Sequence, residues 1–416
     1  MVRKRLNTSL PGAHAARVVA LVCTAQVLVQ IGAYSWPALL PSMIPLWGLT
    51  NSEAGWITGM FYLAYMCAVP ILVTSTDRLD ARLVYLFGVG CTVGAHLIFG
   101  FFAEGFWSAL VLRAVAGIGW AGTYMTGLKL LADQVDDKMM SRAVTGHAAG
   151  IGIAGAVSFS CAGFVASHYG WQASFVAAGF SAAVAWLLVA LWIPHRARTS
   201  NAEKPVALFD FRPVLRNRSA IAYSLAYCVH TLEMSAVRGW GVAFLGFVAL
   251  GAGGADPGVA PAVVMTTLGL IGTAASVLGN EAAIRIGRRK LIGLAMLASI
   301  AFAASIGFIG PAAYAIAVGM LVVYGLVIWL DSASLTAGAA GTAEPSRRGA
   351  TLAVHSTLGY AGGFVGPLIV GYVLDLGGGM SRTSWGLAFL CVAAANAVAL
   401  AVFWTINPRG LAGDRN

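Results

Sequence analysis

Charge is what this sequence has least of: 26 Lys and Arg and 16 Asp and Glu among 416 residues, 10% of the chain. A soluble domain carries about a quarter charged residues, so there are too few here to cover a water-facing surface. Its six cysteines (Cys23, Cys67, Cys91, Cys161, Cys228 and Cys391) fall singly inside apolar stretches, without metal-ligand spacing. Buried thiols of that kind act as small hydrophobes, so neither a disulfide nor a metal site is expected. A Ser/His/Asp arrangement and a plausibly spaced carboxylate pair are also missing, which argues against an enzyme and leaves no cofactor to hold.

What the sequence has in quantity is hydrophobic side chains, 59% of residues, in runs free of Asp, Glu, Lys and Arg. The runs are Val18 to Ser52, Ala54 to Thr76, Ala143 to Pro194, Leu291 to Leu330 and Gly349 to Leu374. A helix needs about 20 apolar residues to cross the hydrocarbon core. The run from Ala143 is 52 residues long and that from Leu291 is 40, so each holds two crossings and a tight turn. Without water, backbone polar groups are satisfied inside helices. The expected fold is an all-α membrane protein of twelve transmembrane helices, at 18–43, 53–74, 83–103, 106–131, 142–166, 171–194, 219–248, 260–283, 290–309, 312–334, 349–374 and 383–406. Residues 1–194 and 219–416 are expected to form two six-helix bundles, joined by a basic loop at 195–218. The N-terminal segment, with Arg3, Lys4, Arg5 and Arg17, leads into a retained first helix, with no short apolar core and cleavage site.

A net charge of +10 raises nucleic acid as a partner, but the placement of the charge rejects it. With the N-terminus in the cytoplasm, Arg78, Arg82, Arg142, the central loop, Arg285, Arg288, Arg289, Lys290, Arg347 and Arg348 all fall inside, and Arg382 alone falls outside. That alternation follows the positive-inside rule. It predicts an inner-membrane, multi-pass protein with both termini and the central loop cytoplasmic.

The halves repeat at an offset of 208 residues. Arg82 and Lys290 open the third and ninth spans, His147 matches His355, and Gly155 matches Gly363. After a short insertion, Gly170-Trp171-Gln-Ala-Ser-Phe175 matches Ser384-Trp385-Gly-Leu-Ala-Phe389. Transporters built from repeats place the substrate between the repeating units.

These features resemble the major facilitator superfamily over nearly the whole chain. That family's marker loop, G-x-x-x-D-R-x-G-R-R/K, is similar to Val73-Thr-Ser-Thr-Asp77-Arg78-Leu-Asp80-Ala-Arg82, with both glycines replaced. The second half keeps Arg285-Ile-Gly287-Arg288-Arg289 and lacks the Asp. The fourth span, Arg113-Ala-Val-Ala-Gly117-Ile-Gly119, is similar to the family's R-x-x-x-G-x-G. The Gly-Pro pair of drug–proton antiporters is absent from the fifth span and occurs as Gly366-Pro367 in the eleventh. The resemblance implies two rocking bundles, a midplane site lined by the first, fourth, seventh and tenth helices, and charged loops that lock the cytoplasmic side. The gating set is then Asp77, Arg78, Arg82, Arg285 and Arg288. By helix placement, Lys129 and Asp331 at the inner ends of the fourth and tenth spans are expected either to pair as a further gate or to snorkel.

A charged side chain in mid-span costs about 2.5–3.5 kcal/mol on insertion scales and marks function by default. Arg113 either binds substrate or ties helices together through backbone carbonyls. His230 and Glu233, three residues apart in the seventh span, share a face and could hydrogen-bond. As a buried protonatable pair they suit proton coupling, or else form a static polar bridge. Arg238 either holds an anion through two parallel hydrogen bonds or closes an outer gate. His147 and His355 are expected to pack near the inner gate. Tyr34, Trp36, Tyr65, Tyr124 and Tyr360 are expected to line the cavity, and the 51 glycines, dense in the fifth and eleventh spans, to let helices approach closely.

The expectation is a secondary transporter, acting as a monomer, that carries a small organic anion with protons by alternating access. The rivals are a proton-coupled exporter of drugs or metabolites and a membrane sensor on a transporter fold. Nitrate is disfavoured, because the second and eighth spans lack the arginines of that branch.

Overall fold

The computed structural model describes residues 12–76, 78–135, 137–195, 211–251, 258–411 and 414. Asp77, most of the central loop and the first basic cluster lie outside the described residues. Among the described residues all regular structure is helical. In chain order the helices are α1 (Gly12–Gln30), α2 (Ser35–Trp47), α3 (Asn51–Ser75), α4 (Ala81–Phe102), α5 (Phe106–Ala121), α6 (Tyr124–Gln134), α7 (Asp137–Tyr169) and α8 (Trp171–Trp192) in the first half. The short α9 (Arg212–Arg216) precedes α10 (Arg218–Gly251), α11 (Pro261–Ile286), α12 (Arg288–Ile309), α13 (Tyr314–Leu330), α14 (Ser332–Thr342), α15 (Arg348–Leu376) and α16 (Arg382–Ile406) in the second. Eleven helical stretches are long and apolar enough to cross a membrane. The twelfth crossing is divided into α5 and α6, end to end.

Where the chain turns, polar caps start the helices. Thr50 and Glu53 form a capping box on α3, with the Thr50 amide donating to Glu53 Oε2 at 2.8 Å. Asp80 caps α4 by accepting the Arg82 amide at 2.9 Å. Ser381 caps α16 in the same way. Side chains such as Phe101, Phe102, Trp107 and Leu191 are exposed, as a lipid-facing surface requires.

Three spans are broken rather than continuous. The first breaks at 31–34, the fourth at Gly122 and Thr123, and the tenth at Asp331. The first break has a covalent cause. Pro37 has no N–H to offer the carbonyl four residues back, at Ala33. The tenth span runs on to Thr342 instead of stopping at 334. Asp331 is therefore interior to its span, not at the inner end where the sequence suggested.

The bundle has a terminal face, where α1 and α10 begin and α8 and α16 end, and an opposite face. The halves meet where α3 packs on α15, α7 on α11 and α2 on α10. Glycine permits the closest of these approaches. A Cβ at Gly55 or Gly59 of α3 would collide with α15 at Pro367 or Phe364. Within the second half, one at Gly362 or Gly366 of α15 would collide with the α10 backbone. The joining contacts run from the opposite face to mid-depth, so the halves are seamed there.

Candidate functional site

The breaks in the first and tenth spans flank a buried, tyrosine-rich centre at mid-depth, here termed the chamber. Tyr34 ends the first break and stacks on Phe159 of α7 with ring centroids 4.9 Å apart. The Arg238 guanidinium of α10 lies 5.1 Å from the Tyr34 ring and 4.7 Å from the Trp329 ring. One ring belongs to each half, so Arg238 bridges the seam. Trp329 lies against Gly272 of α11, where any Cβ would strike its indole. Tyr62 of α3 completes this group, with Tyr34, Arg238 and Arg113 acting on its hydroxyl. Among the described residues no carboxylate lies within ion-pair distance of Arg238; its contacts are the faces of two rings.

Toward the terminal face the chamber ends in a second aromatic layer. Tyr65 of α3 stacks on Tyr360 of α15 at 3.8 Å, and Trp120 of α5 meets Tyr360 edge-on at 6.3 Å. Tyr124 of α6 and Tyr227 of α10 border the same layer. Trp36, expected in the lining, is instead packing: it is fully buried, donates to Thr58 at 3.0 Å and lies against Trp47 and Phe99.

Arg113 is 3% exposed and lies behind Phe61, 4.5 Å from that ring. Its Nη1 reaches the Ala33 carbonyl at 3.4 Å, the oxygen that Pro37 leaves without a partner. His96 of α4 reaches the neighbouring Gly32 carbonyl at 3.1 Å. Of the two roles considered for Arg113, this geometry is that of the bracket. It holds the first-span break that presents Tyr34 to the chamber.

The seventh span corrects two expected pairings. His230 pairs not with Glu233 but with Asp331: His230 Nδ1 lies 2.9 Å from Asp331 Oδ1. Asp331 is accordingly not paired with Lys129, which bridges to Asp133 one turn along its own helix. The reason for the second correction is depth, since Lys129 lies toward the terminal face and Asp331 in mid-span. Glu233, one helical turn from His230, turns into the second half. Its Oε1 accepts from Tyr324 at 2.6 Å and Ser299 at 2.7 Å, and Asn396 lies beside it. Glu233 thus joins α10, α12, α13 and α16 at one buried point.

His147 and His355 keep their symmetric places, both buried, and differ in partners. His355 lies against Ser224 and Thr336 at 3.3 and 3.2 Å and stacks on Tyr227 at 4.1 Å. His147 has no hydrogen bond at either nitrogen and lies parallel to Tyr124.

The basic residues of the marker loops make their contacts within their own halves. Arg82 donates to the Ala190 carbonyl at 2.6 Å, satisfying the end of α8. Arg288 is 3% exposed and holds both oxygens of Asp414, at 3.0 and 3.1 Å, together with Asn280 and the Ser334 carbonyl. Arg285 pairs with Glu281 on the same helix, and Arg78 is exposed. The halves are instead clasped on the opposite face, by a residue the sequence did not single out. Asp375, at the end of α15, accepts the Asn51 and Ser52 amides at 3.0 and 2.7 Å and the Asn51 side-chain amide at 2.8 Å.

Sequence reasoning also missed Tyr62, Tyr227 and Trp329. The available signal was spacing: Tyr62 and Tyr65, like Tyr227 and His230, sit three apart on one helical face.

The family model described as Major Facilitator Superfamily matches residues 22–330. Protein spinster homolog 1 of Bos taurus is 25% identical over 252 residues, 57% of this chain and 47% of that protein. The chain thus matches about half the length of this curated relative. The crystal structure of a bacterial homolog to the human lysosomal transporter Spinster, in an inward-facing and unoccupied conformation, superposes with a TM-score of 0.78. It is 15% identical and covers 95% of this chain and 98% of its own. The nucleoside transporter NupG superposes with a TM-score of 0.73 at 17% identity, over 94% of this chain and 99% of its own. At these identities the likeness to the solved structures is one of fold.

Proposed function

The chain belongs to the Major Facilitator Superfamily, and from that membership we propose that it carries a small organic anion together with protons, by alternating access. The carrying observation is Arg238. A guanidinium held between a ring of each half, with no carboxylate of the described chain beside it, offers its N–H edge to a ligand carboxylate. Two parallel hydrogen bonds then fix the anion, and the surrounding tyrosines suit a flat or amphiphilic body. Binding at the seam gives the anion a hold on both halves at once, as a rocking carrier requires.

The buried titratable side chains of α10, His230 and Glu233, supply the proton coupling in this scheme. Residues 1–194 and 219–416 are the two rocking units and 195–218 their link. The protein acts as a monomer in the inner membrane, its terminal face cytoplasmic. The clasped opposite face then makes this an inward-facing arrangement, with the Tyr65–Tyr360 layer between chamber and cytoplasm.

A thermal-shift screen tests the substrate class. Purified protein is melted with organic acids, their neutral amides, nucleosides and cationic drugs. A ligand at 100 times its Kd stabilises the folded state by about 2.7 kcal/mol. Stabilisation by acids, lost in Arg238→Gln, is the expected result. Stabilisation by nucleosides or cations alone would sink the anion reading. Accumulation of the best acid in right-side-out vesicles under an inward proton gradient separates uptake from export.

A further inference from the structure

Asp331 stands where the tenth span is interrupted, between the last residue of α13 and the first of α14. Only the Leu335 amide, at 2.8 Å, continues the helical bonding from its carbonyl. Its carboxylate meets His230 at 2.9 Å, with the two side chains 7% and 3% exposed. Neither that Asp331 Oδ1 nor the other imidazole nitrogen, Nε2, has a hydrogen-bond partner, so the two groups lie within ion-pair distance without a formed hydrogen bond. A buried polar nitrogen without a partner is costly in a finished structural contact. Here it leaves the imidazole one nitrogen free to take up or give a proton.

We infer that His230 and Asp331 together hold one transferable proton, and that its presence sets the bend of the tenth span. The inference rests on the transporter reading above and narrows its coupling site to this pair. Glu233 then serves as the fixed bracket of the second half, since its Oε1 already holds two hydroxyl donors.

The step is a protonation alone. A proton from water adds to the imidazole or carboxylate lone pair and leaves from the same atom. With the proton, the pair is an imidazolium beside a carboxylate, or two neutral groups, and its net charge is zero. Without it, Asp331 is an unpaired anion buried at a broken helix, which the surroundings do not compensate.

The groups facing the pair are few. Tyr227 stacks on His230 at 5.6 Å, and His355 of α15 lies on the far side of Tyr227. Both His355 and Glu233 feel the charge on His230. Tyr124 of α6 and Arg238 act on Tyr227, and Tyr324 of α13 is committed to Glu233. Arg238 has no carboxylate partner among the described residues, and Trp329, two residues before Asp331, lies under it. Loss of the proton draws Arg238 toward Asp331. Gain of the proton releases Arg238 for a substrate carboxylate. Proton and anion then favour each other's binding, and the span carrying both contacts is the one that bends.

The test needs no substrate. Spin labels are placed at Arg78→Cys and Arg285→Cys, one on each half at the terminal face, in a cysteine-free background in nanodiscs. Distance distributions are recorded between about pH 5 and about pH 8, a range that brackets histidine titration. A one-proton switch changes the ratio of two populations by up to about tenfold per pH unit. The parent protein is expected to show such a shift, and His230→Gln and Asp331→Asn each to lose it. A shift that persists in both His230→Gln and Asp331→Asn, or that is absent from the parent, overturns the inference. Neither of those results bears on the anion reading, which ligand-dependent melting of Arg238→Gln decides separately.

Discussion

Asp375 Oδ2 accepts the backbone amide of Ser52 at 2.7 Å, so the last turn of α15 in one half caps the first turn of α3 in the other. The same carboxylate takes the Asn51 amide through Oδ1. These amides have no partner within α3, because the first N–H groups of a helix never do, and the positive end of the helix favours a carboxylate there. One acidic side chain thus closes the opposite face without a basic partner. Asp375→Asn keeps one acceptor and loses the charge. A hydrogen bond to a charged group contributes about 1.5–3 kcal/mol, so the closed-to-open ratio is expected to fall by about tenfold to a hundredfold. Spin labels at the exposed Leu46 and Val259 read that ratio directly. An unchanged distance distribution would show that the clasp does not hold the face shut.

Arg238→Lys distinguishes a fork from a point charge. Lysine keeps the positive charge but cannot lie flat on Tyr34 and Trp329 or present two parallel donors. Its affinity for a stabilising organic acid is expected to fall by about tenfold, and that of Arg238→Gln by about a hundredfold, in line with about 1.5–3 kcal/mol for a charged hydrogen bond. Equal affinities for parent and lysine variant would mean that charge alone suffices. Isothermal titration with the best acid from the screen measures both.

The crossings were legible because a run such as Leu291 to Leu330 has one physical use, and the family because Arg113 and the Arg285–Arg289 loop carry its pattern. The chamber was legible only in part. Tyr34 and Arg238 stand on the first and seventh helices, which the resemblance places at the centre, and Tyr360 on the eleventh. Asp331 was misplaced because hydropathy marks where a span is apolar, not where a polar residue breaks it and the helix resumes. Once Asp331 moved to mid-span, the pairing of His230 followed, and Lys129 was left with Asp133. The Asp375 clasp was not legible at all, since its partners are backbone amides 323 and 324 residues away. Sequence carries no sign of amides that any residue would supply.

Gly279 is expected to matter through the break it touches. A Cβ there would collide with the Leu330 carbonyl, immediately before Asp331. Backbone atoms cannot swing aside as a side-chain tip can, so Gly279→Ala forces α11 and the broken span apart. Overpacking of this kind costs about 1–3 kcal/mol. A lowered melting temperature is expected, together with a weaker pH response of the terminal-face distances. Gly319→Ala, in the same span but facing open space, is the control and should melt as the parent does.

Tyr360 joins three rings of the first half: Tyr65 at 3.8 Å, Trp120 at 6.3 Å and Tyr62 at 6.5 Å. The Tyr65 and Trp120 contacts lie between Arg238 and the terminal face, so a ligand leaving that way has to part them. An aromatic pair contributes about 0.5–1.5 kcal/mol beyond its buried area. Tyr360→Ala is therefore expected to speed exchange of a labelled organic acid by about two- to tenfold, while Tyr360→Phe, which keeps the ring, exchanges as the parent does. If the hydroxyl were the working part, the phenylalanine variant would fail and the order would reverse. Exchange at equal concentrations on both sides reads the barrier without any gradient, so a coupling defect cannot imitate the effect. Should alanine leave the rate untouched, the stack is packing, and the path from chamber to terminal face runs elsewhere.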